Sequence, residues 1–362
     1  MLWRRRRGEP SILSTDPAAS VSVATVIVNY RTPDLAIECL GALAMQRNET
    51  PGLKAIIVDN RSDDGSSEKL AEAVADPAFA HWVEFVPLAL NGGFGWGNNQ
   101  AILRLLRKPD PPEFIHLLNP DTIVKPGAVS SLVSLLRRMP RVGAVGSRLI
   151  EPDGHVAGSA FRFPTVAREF VRGSHTLGLG RLLGIAGAVM PQAHAGPVDW
   201  VTGASVMFRT QALREAGLFD DGFFLYFEEV ELMWRLRRAG WAVWAEPASR
   251  VLHIGGAATG LDSGNKAVIR PLPDYWFESR ARYFALTGGR ARALFANLAW
   301  LAGNLFWSVR KLLGSGNRMF DTPGERAGLL GHGLAAQAFD LTHAIVRYDD
   351  PLDRDPAWMR NR

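Results

Sequence analysis

Phe114-Ile115-His116-Leu117-Leu118-Asn119-Pro120-Asp121-Thr122-Ile123-Val124 sets two short apolar runs on either side of Asn-Pro-Asp. Proline cannot donate to a sheet ladder, and the residue before it is pushed out of helical conformation. The first run therefore reads as a buried strand that stops at Leu118. Asp121 then falls at the carboxyl edge of that strand, where open α/β sheets bind ligands. As a bare tripeptide Asn-Pro-Asp is equally a turn, so its neighbours have to decide.

Upstream, residues 22–28 (SVATVIV) form a β-branched run ended by Asn29 and Tyr30. Apolar residues at helical spacing predict a helix over 34–45, capped by Thr32 or Asp34. Residues 54–58 read as a second strand ending at Asp59 and Asn60, followed by a helix over 66–75. A third strand, 82–88, leads into Asn91-Gly-Gly-Phe-Gly-Trp-Gly97 and a helix over 98–106. After the fourth strand comes a helix over 127–138. Strands alternating with helices of about ten residues indicate βαβ units on a mostly parallel sheet. Polar residues at the ends of several such strands build a ligand crevice. The glycines lack the order and position of a dinucleotide fingerprint, and no Gly-Lys-Ser loop exists. The crevice suits a nucleotide, though not in the manner of a dehydrogenase or an ATPase.

Downstream, the pattern predicts a strand over 142–150, a hairpin turn at 152–154 and a return strand over 156–163. Residues 165–196, rich in Gly, Ala and Leu, read as a mobile loop. A strand over 199–208 is interrupted at Gly203, which implies close approach of something to the backbone. Five apolar residues, 223–227, feed Glu228, Glu229 and Glu231 at the start of a helix that runs to Ala239. Acids in a first helical turn are explained by the helix dipole. The apolar lead-in nevertheless places at least one at a partly buried site, as a general base requires. Two strands follow, 241–246 and 250–252, the second ending at His253.

The chain has 362 residues, 47% apolar and 21% charged, enough for one large core or two smaller ones. Its single cysteine, Cys39, excludes an intramolecular disulfide framework and points to a reducing, cytoplasmic setting. Arg4 to Arg7 supply four of the net +5, so residues 1–20 read as a disordered basic arm. No apolar segment follows that arm as a secretory signal would require. Basic residues elsewhere are scattered among acids, which argues against nucleic acid. Residues 293–309 carry no charge and are flanked by Arg290, Arg292, Arg310 and Lys311, but they fall short of a bilayer span. A polar stripe of Asn297, Asn304, Ser308 and Lys311 leaves a broad face including Leu294, Phe295, Leu298, Leu301, Leu305, Phe306 and Leu312. A helix lying in a membrane surface, with Trp300 and Trp307 near the headgroups, fits this pattern. Packing on the rest of the chain, or on a partner in a homodimer, fits equally. A short helix is expected over 327–348.

Taken together, Asn29-Tyr30, Val58-Asp59-Asn60 with Asp64-Gly65-Ser66, the 91–99 glycine turn, Asn119-Pro-Asp121, Trp200-Val-Thr-Gly203, Phe227-Glu-Glu-Val-Glu-Leu232 and His253 resemble family 2 glycosyltransferases. The bacterial rhamnosyltransferase-like branch is the nearest likeness, over about residues 22–290. The resemblance implies an α/β GT-A fold, with a Rossmann-like, mostly parallel sheet and a smaller antiparallel acceptor-side part. It implies a domain over 21–290, divided into a nucleotide-sugar half (21–141) and an acceptor half (142–260), and a helical tail over 291–362. It also implies a nucleotide-diphosphate sugar donor, a divalent cation (Mg²⁺ or Mn²⁺) and inversion at the anomeric carbon.

By the same resemblance Asn29, Tyr30, Asp59 and Asn60 would line the nucleoside pocket, with Asp59 accepting from the base. Asn91, Gly92 and Gly93 would lie against the donor. Asn119 and Asp121 would stand in the metal-binding place, with His253 as a further ligand. The family often has two acids where this chain has Asn119 and Asp121, and more commonly Asp where it has Glu229. Glu229 would be the catalytic base, Glu228 the runner-up and Glu231 a helix-capping acid. Trp200 and Gly203 would border the acceptor or the sugar, and Arg280 or Arg282 would reach the diphosphate. The implied reaction moves a sugar, rhamnose from dTDP-rhamnose as first choice, to a hydroxyl of a glycan or polyprenyl-linked glycan in cell-envelope polysaccharide synthesis. Such an enzyme would be cytoplasmic, or peripheral on the inner face of the plasma membrane. Two other readings are a sugar-phosphate nucleotidyltransferase and a non-catalytic nucleotide-sugar-binding module. The first normally carries a glycine-rich basic loop after its first strand, which Asn29-Tyr-Arg-Thr-Pro33 is not.

Overall fold

Alternation within the strands decides which side chains go to which face of the sheet. Along β1 (Val23–Asn29), Ala24 and Val26 join one apolar cluster, while Val23 and Ile27 join another. The same split divides Ile56 and Val58 from Ala55 and Ile57 in β2 (Leu53–Asp59), as period-2 side-chain direction requires. The computed structural model describes residues 22–254, 271–314, 322–332 and 342–360. The basic arm of residues 1–20 lies outside them.

In chain order the first half runs β1, α1 (Pro33–Gln46), β2, α2 (Ser66–Ala75), β3 (Val83–Pro87), α3 (Phe94–Leu106), β4 (Phe114–Leu118), β5 (Thr122–Val124) and α4 (Ala128–Arg138). The second half continues with β6 (Val142–Ile150), β7 (Ala160–Phe161), α5 (Val166–Gly173), α6 (Leu177–Leu182), β8 (Gly196–Val198), β9 (Trp200–Val201) and β10 (Ser205–Arg209). Then come α7 (Thr210–Ala216), α8 (Glu228–Arg238), β11 (Ala242–His253), α9 (Asp274–Leu312), α10 (Glu325–Gly331) and α11 (Ala357–Arg360). One nine-stranded sheet has the order β3-β2-β1-β4-β10-β6-β11-β5, with β8 also paired to β11. β1 pairs in parallel with both β2 and β4, and β10 runs antiparallel between β4 and β6. The order steps outward from β1 to β3 and then jumps back to β4. The carboxyl ends of β1 and β4 therefore flank a switch point, where such sheets open a crevice.

Several segments depart from the sequence reading. The hairpin turn forms, with Gly154 N–H donating to Glu151 O at 2.9 Å, but its return pairs with β6 only at Val156. The chain then leaves to pair β7 with β9 in a separate two-stranded sheet. The two expected strands after α8 are one strand, β11, whose register against β6 slips between Glu246 and Arg250. Residues 165–196, read as a mobile loop, contain α5 and α6. Thr165 caps α5 by accepting from Arg168 N–H, and α5 packs on α9. Glycine there serves close packing: a Cβ on Gly173 would meet Trp300 O at 2.3 Å, and one on Gly303 would meet Phe170 O at 2.2 Å. α9 is broken at Gly288 and Gly289, the latter with φ +80. Of the helix expected over 327–348, residues up to Gly331 fall in α10, and 333–341 lie outside the described residues. Residues 342–348 are non-helical, and Ile345 bridges Asp220.

Arg280 corrects a further expectation. Its side chain is fully buried between α5 and α9, donating to Glu169 Oε2 at 2.7 and 3.1 Å, to Ala296 O and to Asn297. A guanidinium so enclosed has no reach left for a diphosphate. Burial alone would raise the Glu169 carboxyl, but the charges of Arg172 and Arg280 override it and hold it at about 2. Because that value lies below the unfolded one, the pair stabilises above about pH 4.5 and loses this contribution as pH falls toward 2. Glu169→Gln should cost about 3–5 kcal/mol, since the fully buried Arg280 loses its counter-charge while Arg172 keeps only Glu325. Urea unfolding at pH 7 measures that loss, and at pH 3 the gap from the parent should narrow.

Candidate active site

The polar ends of the strands meet at the switch point. Asn29 and Asp59 are register partners at the ends of β1 and β2, and Asn29 Nδ2 donates to Asp59 Oδ1 at 2.9 Å. Asn29 Oδ1 accepts from Thr32, and Asp59 accepts from both the N–H and hydroxyl of Ser62. Both side chains are buried and committed to one another. These bonds hold the Asp59 carboxylate in place at the rim of the crevice. Tyr30 stays partly exposed, with the Arg31 guanidinium 5.1 Å from its ring centroid. Asn60 Nδ2 donates to Asn91 Oδ1 at 2.9 Å and to Gly93 O at 3.2 Å, tying β2 to the glycine turn. The glycines are required by the chain itself. A Cβ on Gly92 would lie 2.3 Å from the Trp96 ring, and one on Gly93 (φ +91) would lie 1.9 Å from Phe224 O.

The second group is built by β4, β5 and β11. Antiparallel pairing sets His253 opposite Thr122, one residue from Asp121. His253 Nε2 consequently stands 3.5 Å from Asp121 Oδ1, an ion-pair distance without hydrogen-bond alignment. Asn119 N–H donates to Ala204 O, and Thr122 Oγ1 donates to Asn119 O at 2.6 Å, which fixes the turn. Asn119 Oδ1 and Asp121 Oδ1 are both buried without a hydrogen-bond partner. Buried acceptors left open in this way call for a ligand. A carboxylate, an amide oxygen and an imidazole form a donor set that Mg²⁺ or Mn²⁺ accepts. Among the described residues no group of three or more His, Cys, Asp or Glu gathers as a metal site. Asp121, His253 and Asn119 therefore fit a cation whose remaining ligands come from elsewhere, and a diphosphate provides such oxygens.

The third group is the amino end of α8. Tyr226 and Phe227 both adopt left-handed backbone, with φ of 69 and 67, immediately before Glu228. Non-glycine residues held so cost about 1–3 kcal/mol each and cluster at functional sites. Glu228 Oε2 and Glu229 Oε2 are buried and unpartnered. Burial pushes the Glu229 carboxyl up to about 7; burial and then the Glu229 charge push Glu228 well above its ordinary value. Glu231 is not a capping acid: it is buried and meets Arg235 through both oxygens at 2.8 Å. A chain of contacts joins this end of α8 to the turn after β4. Gly95 lies under Glu228, the Phe94 ring lies over Gly203, and Ala204 holds Asn119. The close approach expected at Gly203 is thus made by Phe94. Trp200 is half-buried, stacked on Phe161 at 4.4 Å, with Nε1 donating to Arg162 O.

Residues 342–360 form a strap that nothing in the sequence announced. Trp358 Nε1 donates to Gly92 O at 2.9 Å and its ring meets Phe224 edge-on. Trp96 Nε1 donates to Arg354 O, while Asp221 accepts from Asn99 and Arg354. The strap therefore clasps both the glycine turn and the segment leading to Glu228. Trp358→Ala should lower kcat/KM by about 10–100-fold, because displacement of a distant support by an ångström has that effect. Trp358→Phe, which keeps an aromatic ring against Phe224 but loses the Nε1 bond to Gly92, should recover part of the loss. Steady-state kinetics on the two variants checks this.

Solved proteins share this architecture. The mannosyltransferase PcManGT of Pyrobaculum calidifontis, solved with GDP-Man and Mn²⁺, matches with a TM-score of 0.51 at 15% identity, covering 90% of this chain and 83% of its own. GalNAc-T7, solved with UDP, GalNAc and Mn²⁺, matches with a TM-score of 0.54 at 13% identity, covering 87% and 58%. These likenesses define the fold as the GT-A fold of glycosyltransferases. The family described as "Glycosyltransferase like family 2" matches residues 19–270, and the chain belongs to that family. It is 28% identical over 268 residues, 70% of its length and 82% of the relative's, to an N-acetylglucosaminyl-diphospho-decaprenol L-rhamnosyltransferase of Mycobacterium tuberculosis.

Proposed function

We propose that this glycosyltransferase moves a sugar, with rhamnose from dTDP-rhamnose the first candidate, from a nucleotide-diphosphate donor to a hydroxyl of a lipid-linked glycan, with inversion. The observation that carries the reading is Glu229, a carboxyl pushed up to about 7 with one oxygen buried and unpaired beyond a strained turn. A base poised near the working pH suits abstraction of a hydroxyl proton. Glu229 takes the acceptor proton as the acceptor oxygen bonds to the anomeric carbon. The bond from that carbon to the diphosphate breaks, and the nucleoside diphosphate leaves with the electron pair. Asp121, His253 and Asn119 would hold a divalent cation, which supplies neutralising charge to a diphosphate when bound. Asn60, Asn91 and Tyr30 border the donor side, and Trp200 and Gly203 the acceptor side. The M. tuberculosis relative is named for a polyprenyl-diphosphate acceptor, which supports an acceptor of that class here. By that reading the enzyme works on the inner face of the plasma membrane in cell-envelope polysaccharide synthesis.

The test is a panel of nucleotide sugars offered with a polyprenyl-diphosphate N-acetylglucosamine acceptor, with Mg²⁺, Mn²⁺ or chelator. Metal-dependent transfer with inverted anomeric configuration by NMR is the expected result. Binding without turnover would favour a non-catalytic module instead. Formation of nucleotide sugar from sugar phosphate would favour a nucleotidyltransferase.

A further inference from the structure

The apolar lead-in to the base does not bury its rings. Phe224, Tyr226 and Phe227 are each only partly buried, and the last two hold left-handed backbone. Such backbone persists only where its surroundings over-determine it. The first turns of α9 provide that support. Ser279 Oγ donates to Leu225 O at 2.9 Å. The Tyr275 ring lies nearly parallel to Tyr226, with centroids 6.1 Å apart, and meets Phe224 edge-on at 5.2 Å. Trp276 meets Phe227 edge-on at 5.7 Å. These rings form an aromatic wall that runs, along the chain, directly into Glu228 and Glu229.

The neighbours of the wall fix what it faces. At one end Trp358 meets Phe224 edge-on at 4.9 Å and donates to Gly92 O, so its indole stands between the wall and the donor-side glycine turn. At the other end Phe227 packs on the same apolar cluster as Trp200, on the acceptor side. Trp200 has only one ring face to offer a ligand, because Phe161 is stacked on the other at 4.4 Å. Tyr275 has more to offer. Its ring is half-buried, and among the described residues its hydroxyl makes no hydrogen bond. Burial pushes its phenol up, so near neutral pH the hydroxyl is a donor. A ring with an apolar body and an unused polar tip suits a sugar, whose C–H groups meet the negative ring face while its oxygens accept. We propose that Tyr275 binds the acceptor: a sugar ring of the acceptor lies against the Tyr275 ring beside Glu229 and accepts from its hydroxyl. This rests on the transferase reading above and adds to it a residue that holds the acceptor.

The test is steady-state transfer by the full chain to N-acetylglucosaminyl diphosphate carrying either an octyl or a polyprenyl chain, with donor hydrolysis in the absence of acceptor measured alongside. Tyr275→Ala should raise the KM for both acceptors about tenfold or more, while kcat, donor KM and donor hydrolysis stay within about threefold of the parent. Tyr275→Phe, which keeps the ring and loses the hydroxyl, should show an acceptor KM between the two. Tyr275→Leu, which keeps apolar bulk against Phe224, should lose acceptor affinity as Tyr275→Ala does and unfold at the parent's temperature. A rise in donor KM in place of acceptor KM would overturn the proposal, as would a loss confined to the polyprenyl acceptor, which would give the wall to the lipid chain. A parent that transfers to both acceptors while Tyr275→Ala and Tyr275→Leu keep its acceptor KM would overturn this inference alone. A parent that transfers to neither would overturn the transferase reading, and this inference with it.

Discussion

Glu229→Gln should lower kcat by about 10²–10⁴-fold, the range removed with a general base, while donor affinity stays within a few-fold of the parent. Glu228→Gln provides the contrast. Burial, then the Glu229 charge, raises the Glu228 carboxyl well above its ordinary value, which favours its neutral form, so a neutral amide there should largely keep activity near pH 7. Since the base acts ionised, the parent's rate should rise with pH through about 7, and residual Glu229→Gln activity should lose that limb. The same raised value acts on stability with opposite sign. Between about pH 4.5 and 7 the folded carboxyl holds a proton that the unfolded one has released, so stability falls as pH rises through this window. Glu229→Gln should flatten the slope, as urea unfolding at pH 5 and 7.5 would measure. Parent-like turnover in Glu229→Gln, with loss in Glu228→Gln, would exchange the two roles.

Asp121→Ala is the second large effect. Among the described residues the Asp121 side chain makes no hydrogen bond through Oδ1 and stands 3.5 Å from His253, so its removal should leave the fold nearly unchanged. Activity should nevertheless drop by about 10²–10³-fold, the several kcal/mol that a metal contributes to stabilising departing charge. Calorimetric titration with Mn²⁺ and nucleoside diphosphate should show weakened, metal-independent binding. His253→Ala should show the same loss in smaller degree. An Asp121→Ala enzyme that keeps the parent's metal response would remove this carboxylate from the site.

The first half of the chain was open to reading because its signals are local. Apolar runs of five to seven residues ended by Asn or Asp matched β1, β2 and β4 nearly to the residue, and α2 and α4 also lay close to their expected bounds. His253 was also within reach, because a polar residue ends its strand. Its distance from Asp121 depends on the β5–β11 register, which no local pattern encodes. What escaped was non-local. Arg280 carries the same residue type as a phosphate ligand, and only the partner Glu169, 111 positions away, shows it to be structural. The glycine turn looked like room for a ligand, but much of that space is taken by Trp96 and Phe224. α5 and α6 were hidden because small residues that serve tight helix crossing share the composition of a loop.

The clasp of Trp358 on Gly92 spans 266 positions of sequence. At synthesis rates of about 5–20 residues per second, the interval between making the two ends of this bond is roughly 13–53 s. During that time β4 to β11 are themselves made, and the turn beside Asn60 lacks this fastening until residue 358 follows. In a nascent chain the glycine turn should thus be fastened late, well after the strands beside it have been made.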